Sequence, residues 1–222
     1  MSITSYIPYF LSLVIAVVLH EIGHGLMALA LGDKTAKNAG RITLNPAKHV
    51  DPFGTIIMPL IMIISGSPIL FGYAKPVPVS FNNLKFKNLG MFLVAFAGPL
   101  TNFILAFLFL CVALFIPDGN NFIHNFIKTS FFINLILGSF NLMPLLPLDG
   151  GRMLHSILPE PLSSLFGKTE RVGFLILVGL LLIPFILNSL GLPSFSVVQK
   201  FIMFVSEKVK YVIVNMVYLF HK

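Results

Sequence analysis

Long apolar runs, separated by short polar stretches, make up most of this chain. The first run, Ile7–Leu31, and the longest uninterrupted one, Met91–Ile116, each exceed the roughly 20 residues that a helix needs to cross a bilayer. Two further runs, Ser130–Leu158 and Val172–Leu190, contain prolines, which kink or break helices. The pattern therefore predicts an all-α polytopic membrane protein with about four full transmembrane helices.

Three other stretches have different patterns. Pro52–Phe71 is apolar but is interrupted by prolines and glycine, which suits a re-entrant segment as well as a full crossing. In Ala74–Phe81, alternating prolines exclude a helix and favour an edge strand, so a small β element is expected at the cytoplasmic face. The tail, Ser196–Lys222, places its polar residues near one face and predicts an amphipathic helix at the membrane interface.

The composition supports a membrane protein. Of 222 residues, 56% are hydrophobic and only 10% are charged, and the mean hydropathy is +0.92. No polar stretch is long enough for a separate soluble module, so residues 1–222 are expected to form a single membrane-embedded domain. The net charge of +7 suits basic cytoplasmic loops better than binding to nucleic acid.

The distribution of basic residues favours a re-entrant Pro52–Phe71. If this segment dips into the membrane and returns, ten Lys and Arg residues share one side against Lys128 alone, leaving the tail aside. A full crossing would divide the same residues almost equally. Because cytoplasmic loops carry the excess of positive charge, we expect the N-terminus outside and the following basic residues on the cytoplasmic side: Lys34, Lys37, Arg41, Lys48, Lys75, Lys85, Lys87, Arg152, Lys168 and Arg171.

The first apolar run contains candidate metal-binding and catalytic residues. Their sequence is His20-Glu21-Ile22-Gly23-His24. Two histidines at i and i+4 lie on the same face of a helix, so both can ligate one ion. Glu21 lies about 100° from His20, close enough to act on a water molecule there without being a ligand. The motif is typical of zinc proteases, and ionisable residues at membrane depth mark functional sites.

A carboxylate is the usual third ligand of such a zinc site. Besides Glu21, only Asp149 and Glu207 lie in apolar segments or the tail helix, and Glu207 lies among solvated charges. Asp149 stands near the late end of its segment, at the depth of the histidines if Pro52–Phe71 is re-entrant. Asp149 is therefore the expected third ligand, and the site lies in the cytoplasmic half; the alternative is an Asp that caps a helix.

Other polar residues leave alternatives open. The amides of Asn102 and Asn141 are candidates for binding a substrate backbone or stabilising an oxyanion, although the small residues before Asn102 also suit close helix packing. His49 is a candidate gate or extra ligand, with structural anchoring as the alternative. The Ala74–Phe81 segment either pairs with an extended substrate or is a surface loop.

Several of these motifs together resemble one known family. His20–His24, Ala97–Asn102 and Asn141–Gly151, in this order and with Arg41–Gly54 and Ala74–Val79 between them, are similar to the site-2 protease family of intramembrane zinc metalloproteases, peptidase family M50. The likeness is to the short prokaryotic branch without PDZ or CBS domains. It covers about residues 7–158, the expected catalytic core, and leaves C-terminal helices at 172–222.

The resemblance implies one Zn²⁺ per chain, bound by His20, His24 and Asp149, with Glu21 as the general base. It implies hydrolysis of peptide bonds in or near transmembrane segments of membrane-protein substrates. It also implies a multi-pass protein of the prokaryotic cytoplasmic membrane, in contact with lipid. The sequence does not predict its oligomeric state.

Two other classes of function use similar residues. A divalent-metal transporter also needs His and Asp within the membrane, but it requires polar residues along a path to both faces, and the outer halves of these helices have few. A non-catalytic protein that holds membrane helices would not need Glu21.

Overall fold

The computed structural model describes residues 6–57, 64, 72–116 and 122–220, and it confirms the prediction of an all-α protein. No strand is formed among these residues. The helices are α1 (Tyr6–Ala30), α2 (Thr35–Asn38), α3 (Lys87–Ala113), α4 (Phe122–Asn141), α5 (Asp149–Ile157), α6 (Leu162–Lys168), α7 (Glu170–Ser189) and α8 (Val197–Phe220).

Helices α1, α3 and α4 form the centre of the bundle, and they pack pairwise against one another. Small residues at the contacts, such as the fully buried Ala16, Ala28 and Ala106, allow the backbones to approach closely. Helix α5 packs on α3, and α8 packs on α3 and α4. The site described below lies where α1, α3 and α5 meet.

Three of these helices are long and apolar enough to cross a membrane: Ile7–Ala30, Lys87–Ala113 and Glu170–Ser189. They correspond to three of the four predicted crossings, and their ends lie within a few residues of the predicted ones. The fourth predicted crossing remains a prediction.

The predicted run Ser130–Leu158 is broken, as its prolines predict, and forms two helices. Helix α4 begins earlier than predicted, at Phe122, whose ring stacks on Phe126 at 6.5 Å between centroids. The second half of the run is α5, separated from α4 by residues 142–148. Pro144 and Pro147 lie in this break, where they cannot donate the backbone hydrogen bonds of a helix.

Helix α8 has the amphipathic character that the tail predicts, but its apolar side packs against protein. Ile213 and Val217 are buried, and Ile213 belongs to a cluster with Phe131 and Leu135 of α4. Its charged residues, such as Lys210, are exposed. Its position relative to the membrane remains a prediction.

The two ends of the predicted re-entrant segment lie side by side. Pro52–Ile57 forms a π-helical turn, and the Tyr73 amide donates to the Gly54 carbonyl at 3.1 Å. Thr55 Oγ1 donates to the Tyr73 carbonyl at 2.8 Å. The interior of the segment, 58–63 and 65–71, lies outside the described residues.

Residues 72–80 have no regular secondary structure, so the predicted edge strand has no strand partner among the described residues. Pro76 and Pro78 have no N–H group to offer a ladder. The amides of Val77 and Ser80 donate instead to side chains of the α1 region, each at 2.8 Å. We refer to residues 72–80 as the extended segment.

Asp33 fixes one end of the extended segment. Its carboxylate, fully buried, accepts hydrogen bonds from the Ser80 amide, from Asn83 Nδ2 at 3.1 Å and from both the amide and the hydroxyl of Thr35. Burial alone would raise the pKa of Asp33, but these hydrogen bonds outweigh it and hold the pKa below its usual value. The chain after α1 is thereby joined to the chain that leads into α3.

Candidate metal and active site

The side chains of His20, His24 and Asp149 converge within the helix bundle. The two Nε2 atoms lie 3.1 Å apart. Asp149 Oδ2 lies 3.1 Å from His20 Nε2, and Oδ1 lies 3.3 Å from His24 Nε2. All three side chains are at most 13% exposed. The structure thus brings together the three residues that the sequence predicts as ligands.

Hydrogen bonds on the far side of each imidazole fix its protonation. His24 Nδ1 lies 2.7 Å from the Val94 carbonyl, which can only accept, so this nitrogen carries the proton. His20 Nδ1 lies 2.6 Å from Asn102 Oδ1 and donates to it in the same way. In neutral imidazoles, both Nε2 atoms therefore present lone pairs to the same point.

This set of donors fits a zinc ion. Two imidazole lone pairs that face each other at 3.1 Å cannot hydrogen-bond to each other, whereas both can bind one cation. Asp149 supplies a negative charge, and its buried Oδ2 accepts no hydrogen bond from the described residues. Two His and one carboxylate are a common protein contribution to catalytic zinc.

Gly98 of α3 provides the room for the two imidazoles. A Cβ atom on this residue would lie 2.4 Å from His24 Nε2 and 2.6 Å from His20 Cε1. These distances are below any that real side chains tolerate, so a larger residue would displace the two imidazoles. The Ala97–Asn102 motif therefore has a steric role that follows from packing across helices.

Asp149 is the first residue of α5, and its carboxylate faces the imidazoles rather than capping the helix. The two glycines that follow let the preceding loop fold back closely on this helix. A Cβ atom on Gly150 would lie 2.2 Å from the Leu142 carbonyl oxygen, and one on Gly151 would lie 2.4 Å from the Leu145 carbonyl carbon. This close approach positions Asp149.

Glu21 lies beside the three candidate ligands but is held by a different group. Its Oε2 accepts a hydrogen bond from the Val77 amide of the extended segment at 2.8 Å. Glu21, His20, His24 and Asp149 all line one cleft of about 390 Å³. The sequence did not indicate this role of Val77, because the contact joins residues 56 positions apart.

The cleft lies between the extended segment and helices α1, α3, α4, α5 and α7. Two contacts join the extended-segment side to the opposite wall. Tyr73 meets Phe174 of α7 edge to face at 6.0 Å, and the Arg152 guanidinium of α5 lies 5.9 Å from the ring of Phe81, just after the segment. Arg152 also pairs with Glu170 at 3.4 Å.

The two candidate amides differ in position. Asn141 lines the cleft, and its Nδ2 donates to the Leu137 carbonyl at 3.0 Å. Asn102 is fully buried and does not line the cleft. Its amide contacts His20 instead, and the expectation that Asn102 binds a substrate or an oxyanion stays a prediction.

His49 does not lie with the candidate ligands, and its interpretation as a gate or extra ligand stays a prediction. The cluster found among the described residues consists of His20, His24 and Asp149. His49 is 2% exposed, its Nε2 lies 3.0 Å from the Thr43 carbonyl, and its own carbonyl accepts from the Lys75 amide. These contacts support the alternative, structural anchoring.

Comparison with known proteins relates the sequence of this chain to a peptidase family. The model of peptidase family M50 matches residues 8–120 and 118–184, which include every candidate ligand. A relative from Bacillus subtilis (strain 168), YwhC, is 38% identical over 189 residues that cover 81% of this chain and 83% of the relative.

Rip2 of Mycolicibacterium smegmatis is 28% identical over 185 residues, covering 81% of this chain and 70% of the relative. Both relatives bear the name putative zinc metalloprotease. A solved site-2 protease from Methanocaldococcus jannaschii is 23% identical and covers 90% of this chain and 76% of its own, with a TM-score of 0.43.

Proposed function

The chain belongs to peptidase family M50, and on that premise we propose the role of each site residue in peptide hydrolysis. The protein is an intramembrane zinc metallopeptidase of the site-2 protease type. The assignment of roles rests on one observation: the Nε2 atoms of His20 and His24 and the Asp149 carboxylate converge beside Glu21 in one cleft.

His20, His24 and Asp149 hold one zinc ion per chain. When bound, zinc polarises a peptide carbonyl and makes water acidic enough to attack near neutral pH. Three protein ligands leave a position open for this chemistry, as in other catalytic zinc sites.

Glu21 moves the protons. It takes one from the attacking water and later gives one to the leaving amine. The hydrogen bond from the Val77 amide holds Glu21 Oε2, so Oε1 is left to face the reacting groups. Asn141, which lines the cleft, remains a candidate for binding the substrate backbone or the oxyanion.

The substrates are transmembrane segments of other membrane proteins, cut in or near the bilayer. The cleft is flanked by helices, and a regular substrate helix hides its carbonyls in i→i−4 hydrogen bonds. A substrate therefore has to unwind locally before its backbone reaches the site.

The protein is a multi-pass membrane protein, and we place it in the prokaryotic cytoplasmic membrane with the site in the cytoplasmic half. This placement requires residues 52–71 to be re-entrant. The joined ends of that segment support the requirement, because Tyr73 and Gly54 are hydrogen-bonded at 3.1 Å. An 18-residue crossing helix would separate its ends by about 27 Å.

Zinc content measured together with activity tests the roles. Glu21→Gln should abolish hydrolysis of a reconstituted substrate, about a thousandfold or more, yet keep one zinc per chain, because the carboxylate acts on protons. Asp149→Ala should lose zinc and activity together. Zinc is measured by inductively coupled plasma mass spectrometry on detergent-purified protein.

Glu207→Gln is the matched control, because this carboxylate is exposed on α8, away from the cleft. It should leave zinc and activity unchanged. Full zinc occupancy in Asp149→Ala would remove that residue from the ligand set, and more than a few per cent of activity in Glu21→Gln would remove Glu21 from its role as base.

A further inference from the structure

A chain of buried amides lies behind His20. Asn102 of α3 connects His20 to Asn134 of α4, since Asn102 Nδ2 lies 2.9 Å from Asn134 Oδ1. Asn134 Nδ2 in turn donates to the Ser130 carbonyl at 2.8 Å. Both Asn residues and Ser130 are fully buried. Polar groups are costly at such depth unless every one is hydrogen-bonded.

The direction of each hydrogen bond in this chain is fixed by backbone carbonyls. Asn102 Nδ2 donates both to Asn134 and to the Ala16 carbonyl at 3.2 Å. A carbonyl can only accept, so each amide must turn its nitrogen toward Ala16 or Ser130. Asn102 is then obliged to present its oxygen, and not its nitrogen, to His20 Nδ1.

We propose that Asn134 is a positioning residue for zinc binding, acting through Asn102 on the tautomer of His20. If Asn134 Oδ1 were missing, Asn102 would keep only the longer hydrogen bond to Ala16 and could turn its NH₂ toward His20. The proton of His20 would then move to Nε2, the atom that is to bind the metal. Partners of this kind orient metal ligands and raise affinity about 10–100-fold.

This inference rests on the proposed ligand set. It adds Asn134, which is not a member of that set. Asn134 does not line the cleft. It cannot touch a substrate there, so its effect should appear in the affinity for zinc before it appears in the chemistry.

Competition with a zinc chelator tests the inference, because it measures affinity without any substrate. Asn102→Leu, which removes the acceptor for His20 while keeping the volume, should weaken zinc binding about 10–100-fold. Asn134→Leu should weaken it by about tenfold, at the lower end of that range. In Asn134→Asp, burial favours the neutral carboxyl group, which can accept from Asn102 and donate to Ser130, so affinity should stay near that of the unchanged protein.

The double variant Asn102→Leu/Asn134→Leu separates positioning from packing. If Asn134 acts through Asn102, the double variant should bind zinc as weakly as Asn102→Leu alone. Ser139→Ala is the matched control, since Ser139 is another fully buried polar residue of α4. The unfolding midpoint of zinc-free protein reports the fold, and Asn134→Ser, too short to reach Asn102, replaces Asn134→Leu if the latter does not fold.

Unchanged affinity in Asn134→Leu, equal losses in Asn134→Leu and Asn134→Asp, or additive losses in the double variant would each overturn the inference. His20→Ala, measured in parallel, tests the proposed ligand set itself. Unchanged affinity there would mean that the ligand assignment, and not the amide chain, had failed.

Discussion

At the scale of single residues, Gly98 is the position where a side chain would meet both imidazoles. Gly98→Ala should reduce zinc content at least tenfold, because the new Cβ would lie within 2.6 Å of both imidazoles. The measurement is zinc per chain after dialysis against a weak chelator. Gly179→Ala is a matched control on α7, since its Cβ would lie 3.8 Å from Ile183 Cδ1, an ordinary van der Waals contact. Equal zinc content in the two variants would contradict the steric role.

The four central residues could be predicted from the sequence, whereas their neighbours could not. His20, Glu21 and His24 are related by the period of one helix, and Asp149 by its depth in the apolar pattern. The partner of His20 depends on how α3 packs against α1, which is why the sequence did not indicate its contact with Asn102. The sequence did not indicate a role for Asn134, because a single Asn in an apolar helix does not show which residue it contacts.

At the scale of elements, the extended segment is defined by its prolines. Along an extended chain, alternate residues face opposite sides. The amides of Lys75 and Val77 are used by His49 and Glu21, while Pro76 and Pro78 leave only carbonyls on the other edge. A strand added to that edge could donate hydrogen bonds but receive none at these positions, so the predicted β pairing would form at most half a ladder.

The Val77 amide should matter for catalysis and not for zinc. Val77→Pro removes the N–H group in a stretch that is already extended, so Glu21 loses its hydrogen bond. A hydrogen bond to a charged group contributes about 1.5–3 kcal/mol, and we expect kcat to fall by about tenfold or more at unchanged zinc content. Val77→Ala keeps the amide and is the control. Similar kcat values in the two variants would contradict the positioning of Glu21.

The hydrogen bonds to Asp33 should make the free energy of unfolding depend on pH in the acid range. A carboxylate whose pKa is lowered in the folded state adds stability above its unfolded pKa of about 4, and this stability is lost as the pH falls through the lower folded value. Asp33→Asn should therefore reduce the unfolding midpoint at pH 7 and weaken its dependence on pH below 4. Thermal unfolding in detergent measures both effects.

Glu160→Gln, a change at an exposed carboxylate, is the control for Asp33→Asn. An unfolding midpoint that is equally high in Asp33→Asn and in the unchanged protein at pH 7 would show that the hydrogen bonds around Asp33 add nothing to stability.

At the scale of the whole molecule, the orientation in the membrane can be tested by labelling. In a Cys111→Ser background, Lys37→Cys and Lys85→Cys should react with an impermeant thiol reagent only after cells are opened, because the basic loops are expected inside. Lys128→Cys should react in intact cells. All three lysines are exposed in the structure. Labelling of Lys85→Cys but not of Lys37→Cys in intact cells would require residues 52–71 to cross the membrane fully.

The close approach of His20 Nε2 and His24 Nε2 also has a consequence for stability. On the proposed ligand set, a native state that holds two lone pairs 3.1 Å apart would bind zinc more tightly than the unfolded chain does. By mass action, free zinc at a hundred times its dissociation constant would stabilise that state by about 2.7 kcal/mol. The concentration of free zinc would then determine the fraction of the protein that stays folded, as well as its catalytic activity.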